Sequence, residues 1–194
     1  MNLLNIVLSQ TRRQFMDVIE IINKRYSYRG AYKNIPVPRE DLKKILEAGL
    51  AAPSGCNKQT TSLISLDEPK LLDLITNIIK KNGFGGANAP AGICVLTQKT
   101  PAYDDKYFYV QDYSAAIENM LIAITALGYA SCWVEGQVTG NLETQKQIAN
   151  ILGIPDEYTV IAFLPVGIPE IEGKRPKYKA FSQRAWFNTF GVNA

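Results

Sequence analysis

The sequence predicts an α+β domain, an α/β sandwich in which helices cover a central sheet. Helical and strand patterns are mixed along the whole chain, without internal repeats or low-complexity tracts. The 194 residues are 46% apolar, which is enough to bury the core of one domain. The three cysteines are widely spaced and form no CxxC pair, so neither a disulfide framework nor a metal site is indicated.

The first half of the chain is expected to contain three helices and two strands. Apolar residues three or four positions apart predict the helices, and short apolar runs predict the strands. In chain order we expect a helix ending near Lys24, a helix from Pro38 to Gly49, a strand over 62–66, a helix capped by Asp67 and ended by Gly83, and a strand over 91–97. The buried face of the third helix is expected to contain Leu71, Leu74, Ile75 and Ile78.

The second half is dominated by a long helix over 111–127, which is apolar nearly all round. Such a helix belongs in the middle of a protein or at a subunit interface. A polar loop over 103–109 precedes it, and it is followed by a strand over 130–134, a helix over 142–152 and a strand over 158–166. Residues from about 170 to 194 are charged and aromatic and are expected to form an arm on the surface of the domain. Residues 1–15 are expected to be a peripheral extension of a single domain over 16–194.

Composition excludes several classes of function. The net charge of +3 is too small for the dense basic surface of a nucleic-acid-binding protein. Neither a membrane-spanning run nor a signal peptide is recognisable, so we expect a cytoplasmic protein without a membrane partner. Histidine is absent, which excludes Ser-His and Cys-His catalytic triads. Any chemistry is therefore expected to depend on a cofactor.

The densest polar cluster is RYSYR at 25–29. In an extended strand Arg25, Ser27 and Arg29 project from one face, where two guanidinium groups and a hydroxyl could bind a phosphate. These residues alone support a second interpretation equally well: Arg25 neutralises the C-terminal dipole of the first helix, and Arg29 is merely solvated.

Three further segments are candidates for ligand contacts. The segment PSGCNKQ at 53–59 is rich in hydrogen-bonding groups, WVEG at 133–136 follows a strand and could present backbone N–H groups, and KRPK at 174–177 is basic. Taken singly, the first two are explained as ordinary turns and the third as a solvated tail.

Taken in order, these segments resemble the FMN-dependent nitroreductase family from about residue 16 to 191. The resemblance rests on RYSYR, EDLKKILEAGLAAPSGCNKQ, the long helix DYSAAIENMLIAITALGYASCW, the Glu-Gly that follows it, and the later LGIP and VGIP. It implies a nitroreductase-like fold, with a mostly antiparallel central sheet flanked by helices. It also implies a homodimer with exchanged C-terminal arms and the long helix at its core.

The resemblance further implies a tightly but non-covalently bound FMN in each of two sites at the dimer interface. The backbone N–H groups at Glu135 and Gly136 would face flavin N5, and Arg29 would be the cation near the flavin pyrimidine. The implied cofactor-binding residues are Arg25, Tyr26, Ser27, Arg29, Trp133, Val134, Glu135, Gly136, Lys174 and Arg175 of one subunit, with Pro53, Ser54, Gly55, Asn57 and Gln59 of the other.

No GxGxxG fingerprint opens a helix after a strand, so NAD(P)H is expected to have no separate site and to act as a transient electron donor. The implied activity is ping-pong hydride transfer through flavin N5 to a nitroaromatic, a quinone or a similar small acceptor. Two alternatives remain open: another reaction on the same fold, such as reductive dehalogenation, enoate reduction or azoline oxidation, and a non-catalytic FMN-binding module.

Overall fold

The structure is a computed structural model that describes residues 17–83 and 88–192. The extension expected over 1–15 lies outside the described residues. The described helices and strands are α1 (Val18–Lys24), α2 (Arg39–Leu50), β1 (Thr61–Leu66), α3 (Pro69–Lys80), β2 (Ala91–Thr97), α4 (Tyr109–Ala126), α5 (Gly136–Thr139), α6 (Leu142–Leu152) and β3 (Thr159–Val166). Two short 3₁₀ turns cover Gly55–Asn57 and Phe181–Gln183.

The three strands form an antiparallel sheet in the order β1-β2-β3. Every residue of the central strand β2 is buried, because its side chains alternate between two covered faces. Ile93 and Val95 pack towards α2 and α4, whereas Cys94 and Leu96 pack towards α3 and α6. The predicted α+β sandwich with a central sheet is therefore confirmed.

The long helix α4 lies in the middle of the protein, as its apolar surface predicts. Ile117, Met120 and Ile124 are each no more than 1% exposed and pack against the sheet and α2. Among residues 17–83 and 88–192, no helix combines the length and apolar character that crossing a bilayer requires.

The strand predicted over 130–134 is not a regular strand. The segment makes isolated bridges at Ala130 with Gly167 and at Val134 with Phe163, while Ser131 between them pairs with Ser27. It cannot form a continuous ladder with one neighbour because its backbone groups are divided between the end of β3 and the segment 25–29. This division holds the predicted phosphate-binding segment beside the predicted Glu-Gly turn.

Two expectations for α3 are wrong. Its N-cap is Glu68, whose carboxylate accepts hydrogen bonds from the backbone N–H groups of Lys70 and Leu71, and Asp67 instead binds the guanidinium of Arg39. Leu74 is 54% exposed, because the helix turns Leu72, Ile75 and Ile79 to the core. Asp was predicted because it is a preferred N-cap residue type. Glu68 is one residue closer to the helix than Asp67, and its longer side chain reaches the free N–H groups of the first turn.

Candidate functional site

The segment 25–29 is extended and is fixed by its backbone. The N–H of Tyr28 donates to the carbonyl of Ser131 at 2.8 Å. Tyr28 is buried and packs edge-on against Tyr32, whereas Ser27 and Arg29 are exposed. Alternation along the strand therefore turns the tyrosines inward and presents the hydroxyl and the guanidinium to solvent.

The two arginines of this segment have different surroundings. Arg25 is half-buried and its Nε lies 3.2 Å from the carboxylate of Glu118 on α4, so its charge is paired with a side chain as well as placed near the end of α1. Among the described residues no carboxylate pairs with Arg29. The electrostatic field of both arginines reaches the Cys132 thiol. Burial raises the pKa of this thiol, and Arg29, Ser27 and Arg25 each lower it, so that they offset part of the effect of burial. This face is therefore electropositive, and within the described part of the chain the guanidinium of Arg29 has no carboxylate partner.

Glu135 lies at the end of the bridged segment 130–134 and both of its carboxylate oxygens are hydrogen-bonded. The indole Nε1 of Trp133 donates to Oε2 at 2.9 Å, and the phenol of Tyr113 donates to Oε1 at 3.2 Å. Burial, followed by the charge of Glu135 and this hydrogen bond, raises the pKa of Tyr113 to about 12. The phenol therefore stays protonated and remains a donor at neutral pH.

The turn predicted after Glu135 is the short helix α5. The carbonyl of Glu135 accepts from the N–H groups of Val138 and Thr139, each at 2.8 Å. The N–H groups at the start of a helix lack intrahelical acceptors, so the backbone at Gly136 is free to donate to another group. A Cβ added at Gly136 would meet no described atom within 4 Å. The peptide thus faces open space.

The C-terminal arm begins beside the segment 25–29. The N–H of Gly173 donates to the phenol oxygen of Tyr26 at 3.0 Å, and Arg175 donates to the side-chain oxygen of Asn23 at 3.2 Å. The guanidinium of Arg175 also lies 4.5 Å from the ring centre of Tyr178. Lys174 is exposed between these two anchored positions. The start of the arm is therefore anchored at Tyr26 and Asn23, beside the segment 25–29.

The loop 53–59 is a separate and conformationally strained feature. Cys56, Asn57 and Gln59 have φ of 50°, 54° and 50°, a region that costs a non-glycine residue on the order of 1 kcal/mol. The N–H of Gln59 donates to Ser54 Oγ at 3.0 Å. A cleft of about 200 Å³ lies beside the loop and is lined in part by Pro53, Ser54, Gln59 and Asp112.

The predicted site residues thus form two groups in one chain. The first combines the segments 25–29, 133–136 and 173–175. The second is the loop 53–59, which is anchored at Asp112 in the first turn of α4. Arg25 of the first group pairs with Glu118, six residues after Asp112 and about 9 Å from it along the axis of α4. The two groups nevertheless meet at adjacent residues of α4, because Tyr113 binds Glu135 of the first group. The assignment of the loop to the partner subunit's site, and of each residue to a cofactor, stays a prediction.

Sequence reasoning missed Asp112 and Tyr113, which hold the two groups. Asp112 is 4% exposed and Tyr113 is 6% exposed, although both stand in the first turns of a helix. An acid at that position is normally explained by the helix dipole. The available signal was that Asp112 is one of only two charged residues, with Glu118, in a largely apolar helix.

Comparison with known proteins gives consistent matches. The profile of the Nitroreductase family matches residues 22–83 and 77–168. A protein from Archaeoglobus fulgidus with the provisional name NADH dehydrogenase/NAD(P)H nitroreductase is 32% identical over 158 residues, which is 80% of this chain and 87% of the relative. A protein from Methanothermobacter thermautotrophicus with the same provisional name is 30% identical over 79% of this chain and 78% of its own length.

Solved structures show the same fold. An FMN-dependent nitroreductase from Clostridium difficile superposes with a TM-score of 0.74 at 29% identity and covers 89% of this chain and 99% of its own. A nitroreductase with bound FMN from Bacteroides fragilis superposes with a TM-score of 0.67 at 26% identity, over 84% and 95% of the two chains. The predicted nitroreductase-like fold is confirmed.

Proposed function

Because this chain belongs to the nitroreductase family of oxidoreductases, we propose that it binds FMN and uses NAD(P)H to reduce small acceptors such as nitroaromatics or quinones. The observation that carries the proposal is the juxtaposition of three segments. The segment 25–29 pairs with Ser131, four residues before the open peptide at Glu135–Gly136, and its Tyr26 binds Gly173 at the basic start of the C-terminal arm. Each supplies a different group that a phosphorylated flavin requires.

The residues present fit FMN by their chemistry. The unpaired guanidinium of Arg29, the Ser27 hydroxyl and the exposed Lys174 suit a phosphate and its ribityl chain. The open space beside Gly136 would admit a flat ring close to the backbone, which a side chain would obstruct. Bound FMN would supply the hydride-transfer chemistry that no side chain of this protein offers.

The protein's own groups would place and polarise that cofactor. The N–H groups at Glu135 and Gly136 would donate towards N5, and Arg29 would stabilise negative charge near the pyrimidine edge. Trp133 and Tyr113 would fix the direction of the peptide by holding the Glu135 carboxylate. A preorganised donor of this kind typically contributes on the order of 100-fold in rate.

The proposal includes a homodimer, in which the loop 53–59 of one subunit completes the site of the other. Its support is the exposed apolar surface: Val18 and Ile19 on α1 are 55% and 57% exposed, and Phe181 and Phe190 in the arm are 62% and 86% exposed. Apolar groups in such numbers at the two chain ends are typical of a subunit interface.

Anaerobic reduction tests the activity. We expect purified protein to be yellow, and to bleach within seconds when NADH or NADPH is added. Steady-state rates against both substrates should give parallel double-reciprocal lines, because donor and acceptor use the same site in turn. Protein that binds FMN but does not bleach is a non-catalytic flavin module. Protein that neither binds FMN nor gains thermal stability from it would overturn the proposal.

A panel of acceptors tests the reaction class. We expect turnover with nitroaromatics or quinones. Bleaching by NAD(P)H together with turnover of only a halogenated or enoate substrate would assign the same fold to one of those reductions instead. Bleaching by an azoline substrate, with no NAD(P)H present, would assign it to azoline oxidation. Sedimentation of the same preparation tests the dimer independently of the activity.

A further inference from the structure

Asp112 is a buried carboxylate to which the family resemblance assigns no role. It is 4% exposed in the first turn of α4, and each of its oxygens accepts one hydrogen bond. The N–H of Gly55 donates to Oδ1 at 2.8 Å, and Thr60 Oγ1 donates to Oδ2 at 2.7 Å. Both donors belong to the strained loop or its end, so one side chain clamps the loop at two points.

The loop depends on this clamp because its own backbone is unfavourable. Three non-glycine residues, Cys56, Asn57 and Gln59, have positive φ within four positions. Such conformations persist only where neighbouring contacts enforce them. A second constraint acts at Gly55, where an added Cβ would lie 2.5 Å from the Phe108 ring. The loop is therefore held between α4 and the residue that precedes it.

The far end of the loop is tied to the sheet. The carbonyl of Thr60 accepts from the N–H of Gln98 at 2.9 Å and from Thr97 Oγ1 at 3.3 Å. Thr60 is itself 3% exposed. Asp112 thus connects Thr60, a fixed point on the sheet, with Gly55 at the start of the strained turn, and the exposed side chains of Asn57 and Gln59 lie between them.

We propose that Asp112 is a positioning residue for cofactor binding: by fixing Gly55 and Thr60 it aims Asn57 and Gln59 at the flavin of the partner subunit. This inference rests on the proposed function. The next residue, Tyr113, binds Glu135. A single helical turn of α4 therefore holds the loop directed at one flavin and the Glu135 peptide directed at the other.

The test uses the full-length dimer and four variants. Asp112→Ala removes both acceptors, whereas Asp112→Asn keeps the shape, one oxygen for Gly55 and an amide that can donate to Thr60. Thr60→Val removes one donor, and Thr60→Ser is its matched control. FMN affinity is measured by flavin fluorescence, and hydrogen exchange of the flavin-free protein is followed separately in the peptides 53–60 and 91–97.

We expect Asp112→Ala to weaken FMN binding at least tenfold and to accelerate exchange in 53–60 while 91–97 is unchanged. Asp112→Asn and Thr60→Ser should stay within about threefold of wild type, and Thr60→Val should weaken binding more than Thr60→Ser. If Asp112→Ala does not fold, the Thr60 pair decides.

Three results would overturn the proposal in distinguishable ways. Wild-type protein that does not bind FMN removes the proposed function and this inference with it. If wild-type protein binds FMN and the Asp112→Ala or Thr60→Val variant binds it with equal affinity, only this inference is overturned. Faster exchange spread equally over 53–60 and 91–97 would show that Asp112 only stabilises the fold.

Discussion

The indole N–H of Trp133 donates to Glu135 Oε2 at 2.9 Å, although the two residues are separated by only one position. Alternate residues of an extended segment project from the same face, so this contact forms at the point where the bridged segment 130–134 ends and α5 begins. With Tyr113 on the other oxygen, it gives the Glu135 carboxylate no freedom to rotate. The peptide that we place beside the flavin is therefore held by its own side chain.

Replacement of Glu135 tests this arrangement. Glu135→Ala leaves the buried Tyr113 hydroxyl and the half-buried Trp133 indole N–H without this acceptor, and should lower the free energy of unfolding by about 1–3 kcal/mol. In the FMN-bound protein it should also slow reduction by NAD(P)H on the order of tenfold or more, because the peptide loses its fixed direction. Urea denaturation and stopped-flow bleaching measure the two effects.

Glu135→Gln is the control. Its side-chain oxygen can accept from Trp133 and its amide can donate to the Tyr113 oxygen, so its stability and its reduction rate should lie close to those of wild type. Equal losses in both variants would contradict this account.

Tyr113→Phe should show a stability difference that depends on pH. Below pH 10 the variant should be less stable by about 1 kcal/mol, because the Tyr113–Glu135 hydrogen bond is lost. The pKa of Tyr113 is raised from 10.0 to about 12 in the folded protein. Above pH 10 the unfolded chain therefore ionises while the folded chain does not, which favours unfolding of wild type but not of the variant.

The advantage of wild type should consequently shrink as the pH rises from 10 towards 12. Urea denaturation of both flavin-free proteins at pH 8 and pH 11 measures it, and every other titrating group is common to the two. A difference that stays constant over this range would show that Tyr113 is not shielded in the folded state.

Local sequence patterns predicted most of the fold, because the apolar run of β2 and the apolar stripe of α2 depend only on local geometry. The segment 25–29 was recognisable for the same reason, since its tyrosines and polar residues alternate. Asp112 could not be recognised, because its importance comes from Gly55 and Thr60, which are more than 50 positions away. The prediction of a regular strand over 130–134 was wrong for a related reason: the backbone pairing of this segment is shared between two distant segments.

Arg29→Ala should weaken FMN binding by roughly 10-fold to 100-fold, because a charge-assisted hydrogen bond to a cofactor contributes about 1.5–3 kcal/mol. The guanidinium is exposed and has no carboxylate partner among the described residues, so its removal should leave the free energy of unfolding unchanged. Flavin fluorescence titration measures the affinity. Arg39→Ala is the matched control, since Arg39 forms only a surface pair with Asp67 on another part of the molecule. Similar losses from both variants would indicate a general effect of net charge.

Gly136, the first residue of the short helix α5, and Gly140, which follows its last residue, should respond oppositely to alanine. An added Cβ at Gly140 would lie 2.5 Å from the carbonyl oxygen of Gly136, so Gly140→Ala must distort the backbone and lower stability. At Gly136 the same methyl meets no described atom within 4 Å, and alanine favours a helix over glycine by up to about 1 kcal/mol. Gly136→Ala should therefore be at least as stable as wild type without flavin.

The open space beside Gly136 is where we place the flavin ring, so the same methyl should obstruct it. We expect Gly136→Ala to bind FMN at least roughly tenfold more weakly, since the cost of overpacking a close contact is about 1–3 kcal/mol. Thermal unfolding with and without FMN separates the two effects: the flavin-free transition should stay or rise, and the increase caused by FMN should fall. If Gly136→Ala binds FMN as wild type does, the ring lies elsewhere and Gly136 is no part of its site.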